Sequence, residues 1–419
     1  MKMKKNKIRV ISAVVSAIML ASSASVFAKF DAYNDTDGFT LGHYEVEVNQ
    51  EQRADTEKLY EQRPKNEKQF ENLSRGLVAV PGENGTLVSW RFLGTDSNSL
   101  TYNLYCSGEK LNDKPITTTN FFHTGASKNA EYTLKEVENG EETGVEYTTT
   151  AWDKNYIGFK VTEREGYNID DGAVADLDGD GEYEILLRRV PSMDVNTRTS
   201  YPVIEAYKTD GTHMWTIDIG PNEINEVDIN FLAYDMDGDG KAEVIMRSFE
   251  GTTDGKGNTT GDTNGDEITD YSKSESNLAI FKERQYIVST PEFLSIYDGE
   301  TGEETDRTDL KPSKEPLSDW SYRYSDTGRL TKRASHYLFG LAYLDGVTPS
   351  VVMVRGAWDN VRAAAWHIED GKFKEDWVHN TENKDDVNSI WGACNHNLVT
   401  VDVDFDGKDE ILSGPMAID

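Results

Sequence analysis

An all-β protein in two parts, a small sandwich followed by a ring of blades, is predicted by three observations on this 419-residue sequence. Short runs of alternating apolar and polar residues, separated by Gly, Asn, Asp and Pro, fill the stretch from Arg75 to about Val161. After Gly166 an acidic loop running into an apolar strand recurs along the chain. Each recurrence is followed by a second strand signal that ends in an Asp-Gly turn.

The chain opens on an export signal. Lys2, Lys4, Lys5 and Lys7 give a positive start, an apolar run from Val10 to Leu20 follows, and Val26-Phe27-Ala28 offers a small-residue cleavage site. That run is too short to span a bilayer, and no later stretch is long and apolar enough to do so. Residues 1–28 therefore read as a signal peptide and the protein as secreted and extracellular. Residues 29–71, rich in Glu, Lys, Asn and Gln, read as a polar lead-in, dispensable for folding before about Asn72.

Residues 72–162 read as the β-sandwich. Gly85-Thr86-Leu87-Val88-Ser89-Trp90 and Thr101-Tyr102-Asn103-Leu104-Tyr105 show its alternating strands.

Residues 163–419 carry the repeat. The acidic loops are Asp176-Leu177-Asp178-Gly179-Asp180-Gly181, Asp235-Met236-Asp237-Gly238-Asp239-Gly240 and Asp402-Val403-Asp404-Phe405-Asp406-Gly407. A worn copy, Leu341-Ala342-Tyr343-Leu344-Asp345-Gly346, keeps its strand and loses its carboxylates. The second strand signals end at Asp210-Gly211, Asp298-Gly299 and Asp370-Gly371. A repeat of roughly sixty residues made of strands fits propeller blades, whereas the repeats of a parallel β-helix are shorter. Residues 251–275, rich in Gly, Thr, Asn and Asp, read as a loop insertion.

Each intact loop has the form Asp-x-Asp-x-Asp-Gly-x-x-Glu, so the candidate metal ligands are Asp176, Asp178, Asp180 and Glu184; Asp235, Asp237, Asp239 and Glu243; and Asp402, Asp404, Asp406 and Glu410. Alternate positions in a tight loop put three carboxylates on one side, and the glycine lets the backbone turn. Hard oxygen donors converging in this way suit calcium rather than zinc. An apolar strand starts at the Glu, which separates these loops from the helix-flanked kind. A solvated acidic turn would explain one copy but not three at one spacing. Asp262, Asn264, Asp266 and Asp270 repeat the spacing imperfectly and could hold a weaker ion.

Asp and Glu number 75 against 43 Lys and Arg, a formal net charge of −32. Such a surface repels nucleic acid and anionic membranes. The two cysteines, Cys106 and Cys394, form no disulfide framework and read as small buried apolar residues.

Several segments carry a resemblance: Arg75-Gly76-Leu77-Val78-Ala79-Val80 with Val88-Ser89-Trp90-Arg91, Leu111-Asn112 with Pro115-Ile116, the first acidic loop, Pro291-Glu292-Phe293-Leu294, Val352-Met353-Val354-Arg355-Gly356 and Asn395-His396-Asn397-Leu398. Across residues 72–419 the chain resembles the rhamnogalacturonan lyases of polysaccharide lyase family 11. The resemblance implies a fibronectin III-like β-sandwich followed by an eight-bladed β-propeller, several structural Ca2+ ions and a cleft for a pectic polysaccharide, rhamnogalacturonan I. It gives His396 a metal role and makes Asp170, Asp171 and Asn395 candidate substrate-binding residues.

The chain also departs from the family. Asp170-Asp171 stands for Asn-Asp, Arg188-Arg189-Val190 for Lys-Trp-Asp, Val227 for a His, and Ser335-His336 for Asp-Arg. The family continues past the position of Asp419, so the propeller is expected to be incomplete here, self-associating and weakly active, while a complete chain is expected to be monomeric.

Pectin lyases act by β-elimination: a base takes the C5 proton of a galacturonate whose carboxylate is neutralised by calcium or Arg. Arg188, Arg247 and Arg355 follow blade strands and are the candidate cationic substrate contacts, although for each alone a surface ion pair is the commoner role. Arg323, Arg329, Lys332 and Arg333 read as a solvated loop, and Trp320, Trp358 and Trp391 as packing groups. No serine-nucleophile, zinc or phosphate-loop motif stands out, whereas a glycosidase carboxylate pair stays open among so many acids. The rival reading is a non-catalytic calcium-binding propeller that binds carbohydrate or a surface partner.

Overall fold

The computed structural model describes residues 58, 62, 64, 67–192, 200–223, 230–282, 284–321, 323–356, 359–380, 396–414 and 416–419. The signal peptide, most of the polar lead-in, Asn395, Trp358, Trp391, Val227 and Cys394 lie outside them.

The chain is all-β, and its strands fall into two groups. The first builds two sheets. Val78–Gly82, Gly85–Ser89 and Asn120–Thr124 form a three-stranded antiparallel sheet, and Glu109–Lys110, Thr101–Cys106, Glu131–Glu138 and Glu141–Thr150 a four-stranded one. Alternation drives their pairing: Ala79, Val88, Tyr102, Leu104, Tyr132 and Leu134 point inward from both sheets into one core closed by Trp90. Cys106 sits at the edge of this core as a free thiol, half-buried rather than buried.

The second group forms a series of antiparallel sheets whose strands pair in chain order. The first comprises Tyr167–Ala175, Glu184–Pro191, Val203–Tyr207 and His213–Asp218. The second comprises Phe231–Tyr234, Glu243–Phe249, Glu292–Tyr297 and Glu304–Asp309, and the third Tyr337–Ala342, Ser350–Arg355, Arg362–Glu369 and Lys372–Asn380. Val399–Val401, Glu410–Ser413 and Met416–Ile418 form the last. Every acidic loop joins the first strand of a sheet to the second, and the worn copy does the same in the third sheet.

Consecutive sheets pack face to face. Leu186, Ile204 and Trp215 of the first sheet meet Val244, Met246 and Tyr297 of the second. Ile245, Leu294 and Ile296 meet Val351, Met353, Ala364 and Trp366 of the third, and Val352, Val354 and Ala363 meet Ile411 and Met416 of the last. The middle strands are therefore buried on both faces, which is why they read as continuous apolar runs rather than alternating ones. Residues 250–291 interrupt the second sheet between its second and third strands, and they carry a hairpin of Leu278–Phe281 and Arg284–Ile287.

Two expectations fail. Residues 67–74, read mostly as a solvated lead-in, cross the acidic loops: the Gln69 amide donates to the Val347 carbonyl at 2.9 Å, the Tyr343 hydroxyl to the Gln69 carbonyl at 2.6 Å, and the Ser74 amide to the Gly181 carbonyl at 2.9 Å. Lys68 pairs with Asp409 at 3.1 Å, so one strap touches loops of the first, third and last sheets. The basic run at 323–333 is also not all loop: Arg323 stays outside regular structure, but Arg329, Lys332 and Arg333 do not. Thr327–Ser335 is an α-helix capped by Asp326, whose side chain accepts from the Arg329 amide at 2.8 Å.

Candidate functional site

The acidic loops share one hydrogen-bond plan. In the first, Asp176 accepts from the Gly179 and Gly181 amides at 2.8 Å each, and Asp180 from Glu182 at 2.9 Å. In the second, Asp235 accepts from Gly238 at 2.7 Å and Gly240 at 3.0 Å. In the third, Asp402 accepts from Gly407 at 3.1 Å and Asp406 from Lys408 at 2.9 Å. The closing Glu reaches back in each: Glu184 accepts from Leu177, Glu243 from Met236 and Glu410 from Val403. The turn demands a left-handed residue after the second Asp. Gly179 and Gly238 take it freely, while Phe405 is held there at φ 64°.

These loops gather carboxylates. Oxygens of Asp176, Asp178 and Glu184 lie within 4.8 Å of one another, as do those of Asp235, Asp237 and Asp239, and of Asp402, Asp404 and Glu410. Each of these groups could hold a metal ion. Burial pushes the Glu243 carboxyl up to about 8, with Asp237, Asp235 and Asp239 adding to it, and pushes Glu410 up to about 7. Asp176, Glu184, Asp235 and Asp402 also rise, burial being the main cause. Groups so placed are costly to ionise without a cation beside them. The worn loop has only Asp345, which accepts from Val347 and Thr348 at 2.7 Å each and serves as a plain turn.

At the far ends of the same strands lie the candidate cationic contacts. Arg188 ion-pairs with Asp170 and lies 3.9 Å from Asp171, so the structure joins these three. Asp171 pairs directly opposite Arg188 in the sheet, beyond a bulge. Arg247 occupies the matching position of the second sheet, counted from the loop Glu, and faces the third sheet with Ile245. Arg355 is one register step further on. It lies on the same face as Val351 and Met353, so it points back toward the second sheet. It is thus not a register equivalent of Arg188 and Arg247 but the opposite wall of the same layer.

Glu292, from the third strand of the second sheet, stands between these walls. It accepts from Arg355 Nη2 at 2.6 Å and lies 3.5 Å from Arg247 Nη1. Arg247 also ion-pairs with Glu223, and its guanidinium stacks 4.5 Å from the Tyr337 ring. Arg355 is 0% exposed and donates to the Ala334 and Pro312 carbonyls. Lys314 closes the cluster and donates to the Ile287 carbonyl at 2.5 Å. Burial pulls its ammonium down to about 8, partly offset by Glu292. Asn222, Glu223, Arg247, Tyr286, Glu292 and Lys314 line a small open cavity here.

Next to this cluster, Arg333 of the helix ion-pairs with buried Asp359, which also lies 3.4 Å from Arg323. Arg329 and Arg333 stack on Tyr324 at 3.9 and 4.9 Å. Trp320 is buried between Arg355 and Arg362, in line with a packing role. His336 and His396 stack edge-on with ring centroids 5.4 Å apart. His396 is exposed and joins none of the acidic groups among the described residues. Glu292, Glu223, Lys314 and Asp359 were not legible as site residues. Glu292 did lie in a segment carrying the resemblance, but its partners come from the neighbouring strand and the neighbouring sheet, which only the fold reveals.

Comparison with known proteins adds the chain's relations. Residues 158–419 match the family described as rhamnogalacturonan lyase family 11, C-terminal domain, and residues 68–152 the rhamnogalacturonan I lyase beta-sheet domain. The chain is 37% identical over 367 residues to rhamnogalacturonan endolyase YesW of Bacillus subtilis (strain 168), covering 84% of this chain and 56% of that protein. It is 37% identical over 368 residues to the exolyase YesX of the same strain, covering 84% and 57%. The crystal structure of YesW superposes with a TM-score of 0.71 at 37% identity, covering 84% of this chain and 60% of that one. A Bacillus licheniformis family 11 rhamnogalacturonan lyase superposes at 0.70, with 37% identity and the same coverages. This chain spans little more than half the length of these curated relatives. It belongs to rhamnogalacturonan lyase family 11.

Proposed function

We propose that the protein is a secreted rhamnogalacturonan lyase that cleaves the galacturonate-rhamnose backbone of pectin by β-elimination on a calcium-bearing propeller. The observation that carries this reading is a concentration of cations at one end of the sheets in a family 11 chain of formal charge −32. A polyanionic substrate needs such a local patch on an otherwise repelling surface. Successive sheets, each packed on the next in chain order, support the propeller. Three loops of hard oxygen donors at one spacing support calcium. Calcium, when bound near the substrate, supplies positive charge that lowers the cost of carbanion formation at C5.

The chain's own residues divide the work. Arg323 and Tyr324 present charge and a ring at the surface, with half-buried Arg329 stacked on that ring, where a galacturonate carboxylate and a sugar face can dock. Glu292 and Asp359 pin the guanidinium groups of Arg247, Arg355 and Arg333, so these orient the site from beneath and hold its field. His336 and His396 stand beside them as candidates to take the proton.

A second reading is a non-catalytic propeller that binds carbohydrate, favoured by the burial of Arg247 and Arg355. Incubation with rhamnogalacturonan I and calcium separates the two. Growing ultraviolet absorbance from an unsaturated uronate is expected. New reducing ends without that absorbance would mean hydrolysis, and binding without product would favour the second reading.

A further inference from the structure

The segment 250–271 contains a loop built to the same plan as the three acidic loops, although it joins no blade strands. Asp262 accepts from the Gly265 amide at 2.7 Å and the Glu267 amide at 2.8 Å, three and five residues on, as Asp176 does from Gly179 and Gly181. Asn264 accepts from the Asp266 amide at 2.9 Å and Asp266 from the Ile268 amide at 2.8 Å. Gly265 and Glu267 both take positive φ, at 80° and 64°. Shared geometry alone makes this an acidic turn and nothing more.

The observation that makes it a site comes from outside the loop. Glu250 follows the second strand of the second sheet and is 0% exposed. One of its oxygens, Oε1, accepts from the Thr263 amide at 2.7 Å and the Thr263 hydroxyl at 2.5 Å. The other, Oε2, is buried without a hydrogen-bond partner. Glu250 nevertheless belongs to a group with Asp262 and Asp266 whose donor oxygens lie within 4.8 Å of one another. Among the described residues no basic group reaches this second oxygen. An orphaned carboxylate oxygen in a protein interior is unfavourable unless a counter-charge satisfies it.

We propose that Glu250, Asp262 and Asp266, with the Asn264 side chain beside them, form a further binding site for a hard divalent cation of the calcium class. The ion fastens the 250–271 excursion to the second sheet. This has a consequence for the cationic cluster. Asn222, which lines the cavity beside Arg247, donates to the Glu250 and Thr269 carbonyls at 2.7 and 3.0 Å and accepts from the Tyr271 amide at 2.8 Å. The cation thus holds in place the stretch of backbone on which that cavity wall hangs. The site stands apart from the three blade loops, so its failure would leave them untouched.

Calcium itself is the probe. The full chain, stripped with chelator and dialysed against calcium, is counted for bound ions by atomic emission. Asp262→Asn/Asp266→Asn, at exposed positions, is expected to bind one ion fewer per chain and to fold. Glu250→Gln is expected to lose the same single ion. An unchanged count in either variant overturns the proposal. If the site takes no ion, Glu250→Gln removes an unpaired buried charge and should raise the melting midpoint, which also overturns it. Should Glu250→Gln fail to fold, the exposed double variant decides.

Discussion

Glu292→Gln tests whether the cationic cluster is held from within. Glu292 is 7% exposed and shares its carboxylate between Arg355, at 2.6 Å and fully buried, and Arg247, which is 2% exposed. Burial alone would raise its pKa, but Arg355, Lys314 and Arg247 together outweigh burial and hold it below the ordinary value. The amide keeps the shape and loses the charge. Arg247 retains Glu223, whereas Arg355 is left with carbonyl partners only. Breaking a buried pair on one side costs about 3–5 kcal/mol, and the retained acceptor puts this case at the lower end, about 3 kcal/mol. At roughly 2 °C per kcal/mol for a chain of this size, the melting midpoint should fall by about 6 °C. The control is Glu375→Gln, which breaks an exposed pair with Lys311 and should cost less than about 1 kcal/mol. Melting is followed by tryptophan fluorescence in saturating calcium. Adding Arg355→Met to Glu292→Gln should recover part of the loss, because it removes the orphaned cation. A Glu292→Gln midpoint equal to that of Glu375→Gln would refute the reasoning.

Three further outcomes are expected. Excess chelator should lower the melting midpoint by more than 5 °C, since each occupied loop contributes about 2.7 kcal/mol when calcium stands a hundredfold above its dissociation constant; an unchanged midpoint would remove the structural-cation claim. A chain starting at Arg75, and so lacking the strap of residues 67–74 that bonds Gly181, Val347 and Tyr343, should melt several degrees lower in calcium, and an equal midpoint would return the strap to a solvated linker. Lys314 titrates near 8 when folded and near 10.5 when unfolded, so between those values the unfolded chain holds the extra proton and stability rises with pH. Denaturant unfolding at pH 8 and 10 should show that rise exceeding the one in Lys314→Met by about 2 kcal/mol; parallel profiles would show that the ammonium is not desolvated.

The legibility of the chain follows the reach of each interaction. The loops could be read because every bond in them spans a few residues: Asp176 to Gly179, Asp180 to Glu182, Glu184 to Leu177. The strap could not, because Gln69 meets Tyr343 across most of the chain and its own residues look like solvated polar sequence. Arg323 to Arg333 read as a loop because charges crowd the run; its helix depends on the Asp326 cap and on Asp359, far away in sequence.

Taken by itself, the sequence determined the all-β class, the acidic loops and their oxygen donors, and the family. These rest on strand alternation, on carboxylates at alternate positions and on glycines where the backbone must turn left-handed, all of them local properties. The tertiary structure alone decided what the arginines do. In a strand one residue of register reverses the face, so Arg355 turns back toward Arg247 instead of repeating it, and Glu292 from a third strand meets both. It likewise decided that Glu250 reaches Asp262 and Asp266, because only the fold of the insertion brings a buried carboxylate to an exposed loop.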